Sequence, residues 1–358
     1  MGRKIKASWK QKFYQAFKVF FVAAGRSKEI DGYFRVEKFS RSLKPLHFSQ
    51  QGASLEQRRD FFKKELRSIE FETHAYCNRT CSFCPNSFLD RRNKSQLMSE
   101  GLFNKILREL AAIDFAGQVK LQRYNEPLAN DIIFDRVAQT RRALPNADLS
   151  FHSNGDYVTL EKLRRLEKAG LNEVFVSLYP DYEKDKHRIA EAGHELCQDF
   201  LKRVGITDAV EARTGDHPLG RYVFEVGRMR ITAFAFNLGE SGNDRGGTLK
   251  DLSIKVRRSP CESPFSRLYV DWTGDVFPCC NLRTDVPAHK DYVMGNANDH
   301  ALMDIFFSKT ANFMRRELAV VSDKTGVCRS CKFDIMCSNQ HAESLLNKTM
   351  NRLQVSAA

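Results

Sequence analysis

From Ser68 onward, the spacing of hydrophobic residues switches repeatedly between the period of a strand and the period of a helix. Ile69, Phe71 and Thr73 alternate with charged residues, which predicts a strand. Ser99 is a typical N-cap residue for the helix that follows. Helical spacing places a set of apolar residues on one face of that helix, namely Leu102, Phe103, Ile106, Leu107 and Leu110.

This alternation of strand and helix continues to about residue 236. Further strands are predicted at Val119–Arg123, Leu149–His152, Val174–Leu178 and Arg230–Phe236. Further helices are predicted over Ile132–Ala143, over Leu160–Ala169 with Gly170 as its C-cap, and over Glu183–Val204. Repeated units of this size imply a parallel sheet with crossover helices. Between Thr207 and Arg228 the pattern does not indicate a particular element.

The two ends of the chain have different patterns. Residues 1–60 are basic, and a group of aromatic residues at helical spacing is interleaved with lysines: Trp9, Phe13, Phe17, Phe20 and Phe21 with Lys10, Lys12 and Lys18. This pattern predicts an amphipathic helix that contacts either a membrane surface or the body of the protein itself. In the last third, Leu268–Trp272 and Val276–Phe277 flank a Gly274 turn and predict a hairpin, followed by a helix over Leu302–Leu318.

Composition and charge narrow the class of protein. Hydrophobic residues make up 42% of the 358 residues, which is ordinary for a globular protein with a sizeable core. No apolar run approaches the roughly 18–20 residues that a membrane span needs. The net charge of +13 favours an anionic partner, such as a phosphorylated substrate, or serves solubility alone.

The ten cysteines fall into two groups rather than being spread along the chain. One group spans Cys77–Cys84, the other spans Cys261–Cys337, and Cys197 lies alone between them. Tight groups of this kind indicate metal sites in a reducing compartment, which predicts a cytoplasmic protein.

The first group, Cys77-Asn-Arg-Thr-Cys81-Ser-Phe-Cys84, directly follows the first predicted strand. Three thiolates at this spacing can wrap one loop around a metal cluster. A cubane iron–sulfur cluster normally takes four thiolates, so three local ligands leave one iron for an exogenous ligand. The alternative is a zinc knuckle with His74 as the fourth ligand.

These residues resemble the CX3CX2C signature of radical S-adenosylmethionine (SAM) enzymes. The resemblance implies a partial (β/α)6 barrel and a [4Fe-4S] cluster held by Cys77, Cys81 and Cys84. In that family the open iron binds SAM, whose reductive cleavage gives a 5′-deoxyadenosyl radical that removes hydrogen from a substrate. Tyr124-Asn125-Glu126 resembles a variant of the family's GGE segment, and Asn243 with Arg245-Gly246-Gly247 resembles an element after the fifth strand. The residues for which the resemblance implies cofactor contacts are Phe83, Tyr124, Asn125, Glu126, Ser153, Asn154 and Ser177.

The second cysteine group resembles the SPASM and twitch extensions of radical SAM enzymes. Gly274 lies between Cys261 and Cys279, and a Cys328-Arg-Ser-Cys331 run is followed by Cys337. His341 stands where the family has a further cysteine, so the resemblance implies one auxiliary [4Fe-4S] cluster rather than two. By analogy with the family, its ligands are Cys261, Cys279, Cys328 and Cys331, and Cys337 either replaces one of them or acts as a weak ligand together with His341. The alternative is a zinc site made of Cys328, Cys331, Cys337 and His341.

Cys280 directly follows a candidate ligand. It is either inert or a hydrogen-atom donor to a substrate radical. The general base cannot be chosen from sequence, because Asp, Glu and Tyr residues are numerous.

The expected fold class is α/β: a partial (β/α)6 radical SAM barrel with a small C-terminal α+β extension of the SPASM or twitch type. The expected boundaries are a basic helical extension over 1–65, the barrel over 66–255, the auxiliary cluster domain over 256–345 and a tail over 346–358.

The expected function is radical SAM oxidation or epimerisation of a small polar substrate, sugar-like or phosphorylated, with flavodoxin or ferredoxin as electron donor. Modification of a peptide or protein is one alternative. A zinc-bound nucleic-acid-binding protein is the other, and we do not expect nucleic acid as a partner.

Overall fold

In the residues that the structure describes, one sheet of ten strands runs through the protein, with helices packed against it. The computed structural model describes residues 27–212, 219–253, 256–333 and 336–355, with side chains from residue 32 onward. The predicted N-terminal amphipathic helix lies outside these described residues, so its contact with a membrane surface stays a prediction.

The strands are short, and most of them are buried. They are β1 (Ser68–Phe71), β2 (Gln118–Lys120), β3 (Asp148–Ser153), β4 (Glu173–Leu178), β5 (Val210–Glu211), β6 (Arg221–Val226), β7 (Met229–Ala235), β8 (Arg267–Val270), β9 (Asp275–Phe277) and β10 (Gly295–Asn296).

The helices alternate with these strands in the first two thirds of the chain and follow them at the C-terminal end. They are α1 (Ser27–Ser42), α2 (Leu55–Glu65), α3 (Glu100–Ala111), α4 (Ile132–Ala143), α5 (Leu160–Ala169), α6 (Ile189–Val204), α7 (Leu238–Ser241), α8 (Ser263–Ser266), α9 (Leu302–Phe306), α10 (Lys309–Leu318) and α11 (Gln340–Arg352).

Six neighbouring strands of the sheet are parallel, in the order β8-β1-β2-β3-β4-β7. Helices α3, α4 and α5 connect successive parallel strands, which confirms the predicted α/β class with crossover helices. Local signals set their ends as expected: the Ser99 hydroxyl accepts from Leu102 N–H, and Gly170 ends α5 with φ +95°.

Strand β8 joins the C-terminal part of the chain to the barrel. It pairs in parallel with β1, with Ser68 opposite Arg267 and Phe71 opposite Val270, and the Glu72 N–H donates to Val270 O at 3.0 Å. The hairpin of β8 and β9 therefore continues the sheet beyond β1, and the two cysteine groups belong to one hydrogen-bonded framework. The predicted boundaries within the chain stay predictions.

Three details differ from the sequence prediction. Helix α6 begins at Ile189 rather than near Glu183, and the predicted helix over Leu302–Leu318 is two helices, because Ser308 caps a new helix and accepts from Ala311 N–H. The segment without a clear pattern carries β5 and β6, and β6 pairs antiparallel with β7 on one side and with β5 on the other. No helix among the described residues is long and apolar enough to cross a membrane.

Two apolar clusters hold these layers. The larger one lies between the sheet and helices α3 to α6, and its fully buried members include Ile69, Phe103, Val119, Leu149 and Val174. The smaller one joins α1 to α11 through residues such as Val36, Phe39 and Leu346, with Phe265 of α8 packed on it. Helices α1 and α11 therefore pack on each other.

Phe103 is a direct test of the larger cluster, because its ring is fully buried, 5.5 Å from the Phe71 ring and 4.3 Å from the Arg136 guanidinium. We expect Phe103→Ala to lower the free energy of unfolding by about 3–5 kcal/mol, because it removes buried area and leaves a cavity. Phe313, which is 51% exposed on α10, is the matched control, and Phe313→Ala should change stability by less than about 0.5 kcal/mol. Urea unfolding followed by circular dichroism measures both, and equal effects would contradict the packing.

Candidate active site

The first cysteine group lies on the loop that leaves β1 and lines a cavity at the carboxyl ends of the parallel strands. Cys77, Cys81 and Cys84 all face this cavity of about 350 Å³, which is within the range of about 300–1,000 Å³ typical of ligand sites. The loop turns tightly, since Cys84 N–H donates to Cys81 O at 2.9 Å, and Pro85 then starts a short 3-10 helix. Three thiols therefore approach one face of the cavity from a single loop.

The environment of these thiols fits a cluster. Burial raises the pKa of Cys77 to about 12 and that of Cys81 to about 11, so they are protonated at neutral pH unless a cationic metal centre holds the thiolates. Among the described residues, no three His, Cys, Asp or Glu side chains come together as the ligands of one ion do. Cys77, Cys81 and Cys84 are the residues that would hold the cluster.

Glu126 is fixed next to this loop by three hydrogen bonds. Its Oε1 accepts from the Ser153 hydroxyl at 2.8 Å and from Leu128 N–H at 3.2 Å, and its Oε2 accepts from Asn154 N–H at 2.7 Å. A carboxylate has about four acceptor positions, so one position on Oε2 is left for a donor in the cavity. Burial raises the pKa of Glu126 to about 7, although the bonds from Asn154 and Ser153 oppose the rise.

The same network ties the cysteine loop to the end of β3. Asn154 Nδ2 donates to Asn78 Oδ1 at 2.8 Å, Asn78 Nδ2 donates to Asp156 at 2.6 Å, and Arg79 makes a two-pronged ion pair with Asp156. Asn78 and Arg79 stand between Cys77 and Cys81 in the sequence. The position of the thiols is therefore linked to the position of Glu126.

A group of three aromatic side chains includes Phe83, which directly precedes Cys84. Phe83 stacks on Phe236 with ring centroids 5.5 Å apart, and its ring lies 4.9 Å from that of Tyr179. Phe83 was predicted as a cofactor contact, but Tyr179 and Phe236 were not. They directly follow β4 and β7, so the rule that ligands gather at the carboxyl ends of parallel strands was the signal for them.

The other predicted cofactor residues also line the cavity. Tyr124, Asn125 and Ser177 are all more than nine-tenths buried there. Asn125 Oδ1 accepts from Arg123 N–H at 3.0 Å, while Asn125 Nδ2 and the Tyr124 hydroxyl are buried without a hydrogen-bond partner. Buried polar groups normally have partners, so these two donors fit a polar ligand in the cavity.

Four further polar residues line the cavity, and none of them was predicted as a site residue. Glu70, Lys120 and His152 belong to β1, β2 and β3, and Gln122 follows β2 by two residues. We call this set the polar floor, and its Glu70–Lys120 ion pair is 3.5 Å long. Burial lowers the pKa of His152 to about 3, so this imidazole is neutral. The signal was present in the sequence, because buried parallel strands normally read as near-continuous apolar runs and these polar residues interrupt them.

Arg245 closes the cavity from the side, on the element noted in the sequence as Arg245-Gly246-Gly247. Its backbone has φ +48°, in the left-handed region where a non-glycine residue is uncommon, and its Nη1 donates to Asn281 Oδ1 at 3.2 Å. Its Nε is buried without a hydrogen-bond partner. A cavity with a polar floor and an arginine on its side suits a polar substrate.

Cys279 and Cys280 face two different cavities. Cys280 lines the large cavity together with Glu70 and Arg245, whereas Cys279 lines a second, narrower one. The strand β9 ends just before this pair, and Gly274 at the hairpin turn has φ +97°. A Cβ at Gly274 would lie 2.7 Å from Asn296 Oδ1, so this turn requires glycine.

Four cysteines surround the narrower cavity: Cys261, Cys279, Cys328 and Cys331. Burial raises the pKa of Cys328 to about 12 and that of Cys331 to about 11. Several donors point at their sulfurs, including Asn281 N–H to Cys279 Sγ at 3.4 Å and Phe333 N–H to Cys331 Sγ at 3.3 Å. Four thiols with N–H donors fit an auxiliary iron–sulfur cluster with a full set of protein ligands.

Cys337, which was predicted with this set, does not line the second cavity. It packs on α1, where a Cβ added to Gly32 would lie 3.3 Å from Cys337 Cβ. His341 is exposed on α11, with its ring 4.8 Å from that of Tyr33. His74 is buried away from the cysteine-lined cavity, so neither zinc alternative has its histidine beside all of its proposed cysteines.

Two family models match the chain, in the expected order. Residues 71–202 match the radical SAM superfamily, and residues 261–332 match SPASM, an iron–sulfur cluster-binding domain. The first covers the cysteine loop, Glu126 and Ser177, and the second covers the cysteines of the narrower cavity. The two matches confirm the resemblance seen in the sequence, with a SAM-binding [4Fe-4S] cluster and auxiliary iron–sulfur chemistry as the implied cofactors.

The chain is also similar to a curated protein and to solved structures. The S-adenosyl-L-methionine-dependent 2-deoxy-scyllo-inosamine dehydrogenase of Niallia circulans is 24% identical over 271 residues, which is 75% of this chain and 93% of that protein. The crystal structure of BtrN in complex with AdoMet and 2-DOIA has a TM-score of 0.53 at 23% identity, covering 77% of this chain and 97% of that one. The chain therefore shares that fold. Streptococcus suis SuiB bound to its precursor peptide SuiA has a TM-score of 0.43 at 14% identity, covering 73% and 70% of the two chains.

Cys331 and Cys337 form a matched pair for testing the auxiliary site, because only Cys331 lines the narrower cavity. With about four irons per cluster, the anaerobically reconstituted protein should hold about eight, Cys331→Ala about four and Cys337→Ala about eight. Iron and sulfide analysis measures all three. Loss of iron in Cys337→Ala would show that the ligand set drawn from the cavity is wrong.

Proposed function

We propose that this chain, which matches the radical SAM and SPASM family models, is an enzyme that oxidises a secondary alcohol of a small polar, cyclitol- or sugar-like substrate. The observation that carries this proposal is the shared cavity. Cys77, Cys81 and Cys84 lie on one side of it, and the polar floor of Glu70, Lys120, Gln122 and His152 lies within the same cavity. The floor offers donors and acceptors for hydroxyl groups or a phosphate.

The cofactor supplies the hydrogen abstraction: when bound, the cluster and SAM provide a 5′-deoxyadenosyl radical that takes one hydrogen atom from a substrate carbon. The alcohol must then lose one proton and one electron to become a ketone. Net, SAM and the alcohol give methionine, 5′-deoxyadenosine, the ketone and a proton. The residues of this chain bind the two reactants and accept the proton, and Cys261, Cys279, Cys328 and Cys331 would hold the auxiliary cluster that would take up the electron.

Glu126 is the proposed partner of the SAM ammonium group, because one acceptor position of its carboxylate faces the cavity. Phe83, Tyr179 and Phe236 form the apolar surface proposed for the adenine. Tyr124, Asn125, Ser153, Asn154 and Ser177 complete the proposed cofactor site.

Glu70 is the proposed proton acceptor. Among the described residues, the carboxylates that line the cavity are Glu70 and Glu126, and Glu126 is occupied by the ammonium group in this proposal. Glu70 Oε1 lies 3.5 Å from Lys120 Nζ, so the two side chains form an ion pair in the same cavity.

The relatives support the substrate class without fixing it. The Niallia circulans dehydrogenase acts, by its name, on 2-deoxy-scyllo-inosamine, which makes this aminocyclitol the first compound to try. Peptide modification stays an alternative from the sequence. The external electron donor is proposed to be a flavodoxin or a ferredoxin, and the free thiols are consistent with the reducing cytoplasm.

Epimerisation is a second candidate, and the position of Cys280 favours it. Its thiol faces the same cavity as Cys77, Cys81 and Cys84. In this reaction the S–H bond of Cys280 breaks and a C–H bond forms on the opposite face of the substrate radical. The thiyl radical that remains takes one electron from the external donor and one proton from solvent.

Glu126→Gln tests the cofactor site while keeping the shape of the side chain. We expect SAM to bind about 10–100-fold more weakly, because a hydrogen bond to a charged group is worth about 1.5–3 kcal/mol. Since Glu126 ionises near pH 7 in the SAM-free protein, wild-type affinity should rise from pH 6 to pH 8, and that of the variant should not. Anaerobic calorimetry measures both. Glu161→Gln, on the exposed face of α5, is the control, and equal affinities in all three proteins would rule out the assigned contact.

The reaction itself is tested with the dithionite-reduced, reconstituted protein, SAM and 2-deoxy-scyllo-inosamine in deuterated water. Oxidation predicts a ketone and 5′-deoxyadenosine in equal amounts, with Cys280→Ala still active, because that thiol has no part in it. Epimerisation predicts one solvent deuterium on the substrate carbon, lost in Cys280→Ala. Mass spectrometry reads both products, and intact SAM with every probe compound would defeat the proposed function.

A further inference from the structure

A closed ring of hydrogen bonds links the SAM-site loops to the auxiliary-site hairpin. Glu72 Oε1 accepts from Arg91 Nη1 at 2.6 Å, and Arg91 Nη2 donates to Asp285 Oδ2 at 3.2 Å. Arg283 donates two hydrogen bonds to Asp285, from Nε to Oδ1 at 2.7 Å and from Nη2 to Oδ2 at 2.6 Å. These four side chains alternate in charge, so each is paired with its neighbours.

Two further residues close the ring. Arg283 Nη1 donates to Asn86 Oδ1 at 2.8 Å, and Asn86 Nδ2 donates to Tyr124 O at 3.1 Å. The Tyr124 N–H donates a hydrogen bond to Glu72 Oε1 at 2.8 Å, which closes the ring. We call the set the bridging ring, and its members are Glu72, Asn86, Arg91, Tyr124, Arg283 and Asp285.

The members come from three segments that each lead to a proposed site. Glu72 follows β1, and Asn86 stands two residues after Cys84. Tyr124 precedes the Glu126 loop by two residues, and Arg283 follows Cys279 by four. The bridging ring therefore connects the loop of the SAM site to the hairpin of the auxiliary site.

Because its charged side chains are buried, the bridging ring contributes little net free energy to folding. The side chains of Glu72 and Arg283 are 1% exposed and that of Arg91 is 3% exposed. Removing such charges from water costs about as much as their pairing returns, and apolar residues of similar volume often stabilise as well or better. The planar guanidinium groups instead fix the orientation of their partners, because two parallel hydrogen bonds to one carboxylate hold both groups in a single geometry.

We propose that the bridging ring fixes the auxiliary-site hairpin at one distance from the SAM-site loop, with Arg91, Arg283 and Asp285 as positioning residues. This inference rests on the proposed function, in which an electron leaves the substrate for the auxiliary site. The rate of electron transfer falls steeply as the distance between donor and acceptor grows, so the position of the hairpin bears directly on this step. A rigid link between the two sites keeps this transfer ahead of side reactions of the substrate radical.

Asp285→Asn tests the inference, because it removes the charge shared by Arg91 and Arg283. Pulsed dipolar electron paramagnetic resonance on the reduced holoprotein measures the distribution of the distance between the two clusters. We expect a distance distribution about twofold wider than in wild type, because Arg91 and Arg283 lose the negatively charged carboxylate that both of them bind. Asp90→Asn is the matched control: Asp90 pairs with Arg92 next to the bridging ring, on the exposed surface, and its replacement should leave the distribution unchanged.

Arg283→Lys is the second variant, since Asp285→Asn leaves two buried cations and can prevent folding. It keeps the charge but loses the fork and the bond to Asn86, so it should also widen the distribution. Unchanged distributions in the variants that fold, or equal widening in Asp90→Asn, would overturn the proposal.

Hydrogen exchange of residues 275–286 separates this proposal from the proposed function, because it needs no cluster. Asp285→Asn or Arg283→Lys should speed exchange there at least about tenfold, and unchanged exchange would refute the bridging ring. A wild-type protein with a single cluster would refute the proposed function while this exchange result still reports on the ring.

Discussion

Parallel pairing on both sides of β1 is the constraint on which the rest of the structure depends. Because β1 lies between β2 and β8, its carboxyl end opens into the same cavity as the loops that follow its neighbours. The cysteine loop follows β1, and the Glu126 loop follows the β2 region. The β8–β9 hairpin runs back along the sheet and places Cys280 at that cavity and Cys279 at the narrower one. One register of hydrogen bonds thus sets the geometry of both candidate metal sites.

Several buried polar groups of this framework are held by hydrogen-bonded partners. Glu126 is held by Ser153 and Asn154, and the bridging ring balances two arginines with two carboxylates. In the large cavity, four buried donor groups have no hydrogen-bond partner, namely Arg123 Nε, the Tyr124 hydroxyl, Asn125 Nδ2 and Arg245 Nε. Unpaired buried donors are costly, so these four are the groups that a polar ligand in the cavity would satisfy.

Local chemistry explains why much of this could be predicted from the sequence. Ser99, Gly170 and Gly274 set element ends through caps and positive φ angles, which depend on neighbouring residues alone. The cysteine motif and the strand-end residues followed from their order along a repeated strand–helix pattern.

Long-range packing explains what could not be predicted. Strands β5 and β6 are short and show no regular spacing of hydrophobic residues. The polar floor combines residues from three strands that are far apart in the sequence. The spacing of the cysteines alone does not decide which of Cys331 and Cys337 lies at the auxiliary site. The structure places one beside the narrower cavity and the other against α1. The bridging ring joins residues up to 213 positions apart, counted from Glu72 to Asp285, beyond the reach of any local pattern.

In the proposed site, Cys77, Cys81 and Cys84 hold a cluster whose remaining iron binds SAM in the cavity with Glu126. Electron–nuclear double resonance on the reduced protein measures this contact, using SAM labelled with ¹⁵N in its amino group and ¹⁷O in its carboxylate. We expect hyperfine coupling of both labels to one cluster. An intact cluster that couples to neither label, with SAM present in excess, would rule out the proposed site.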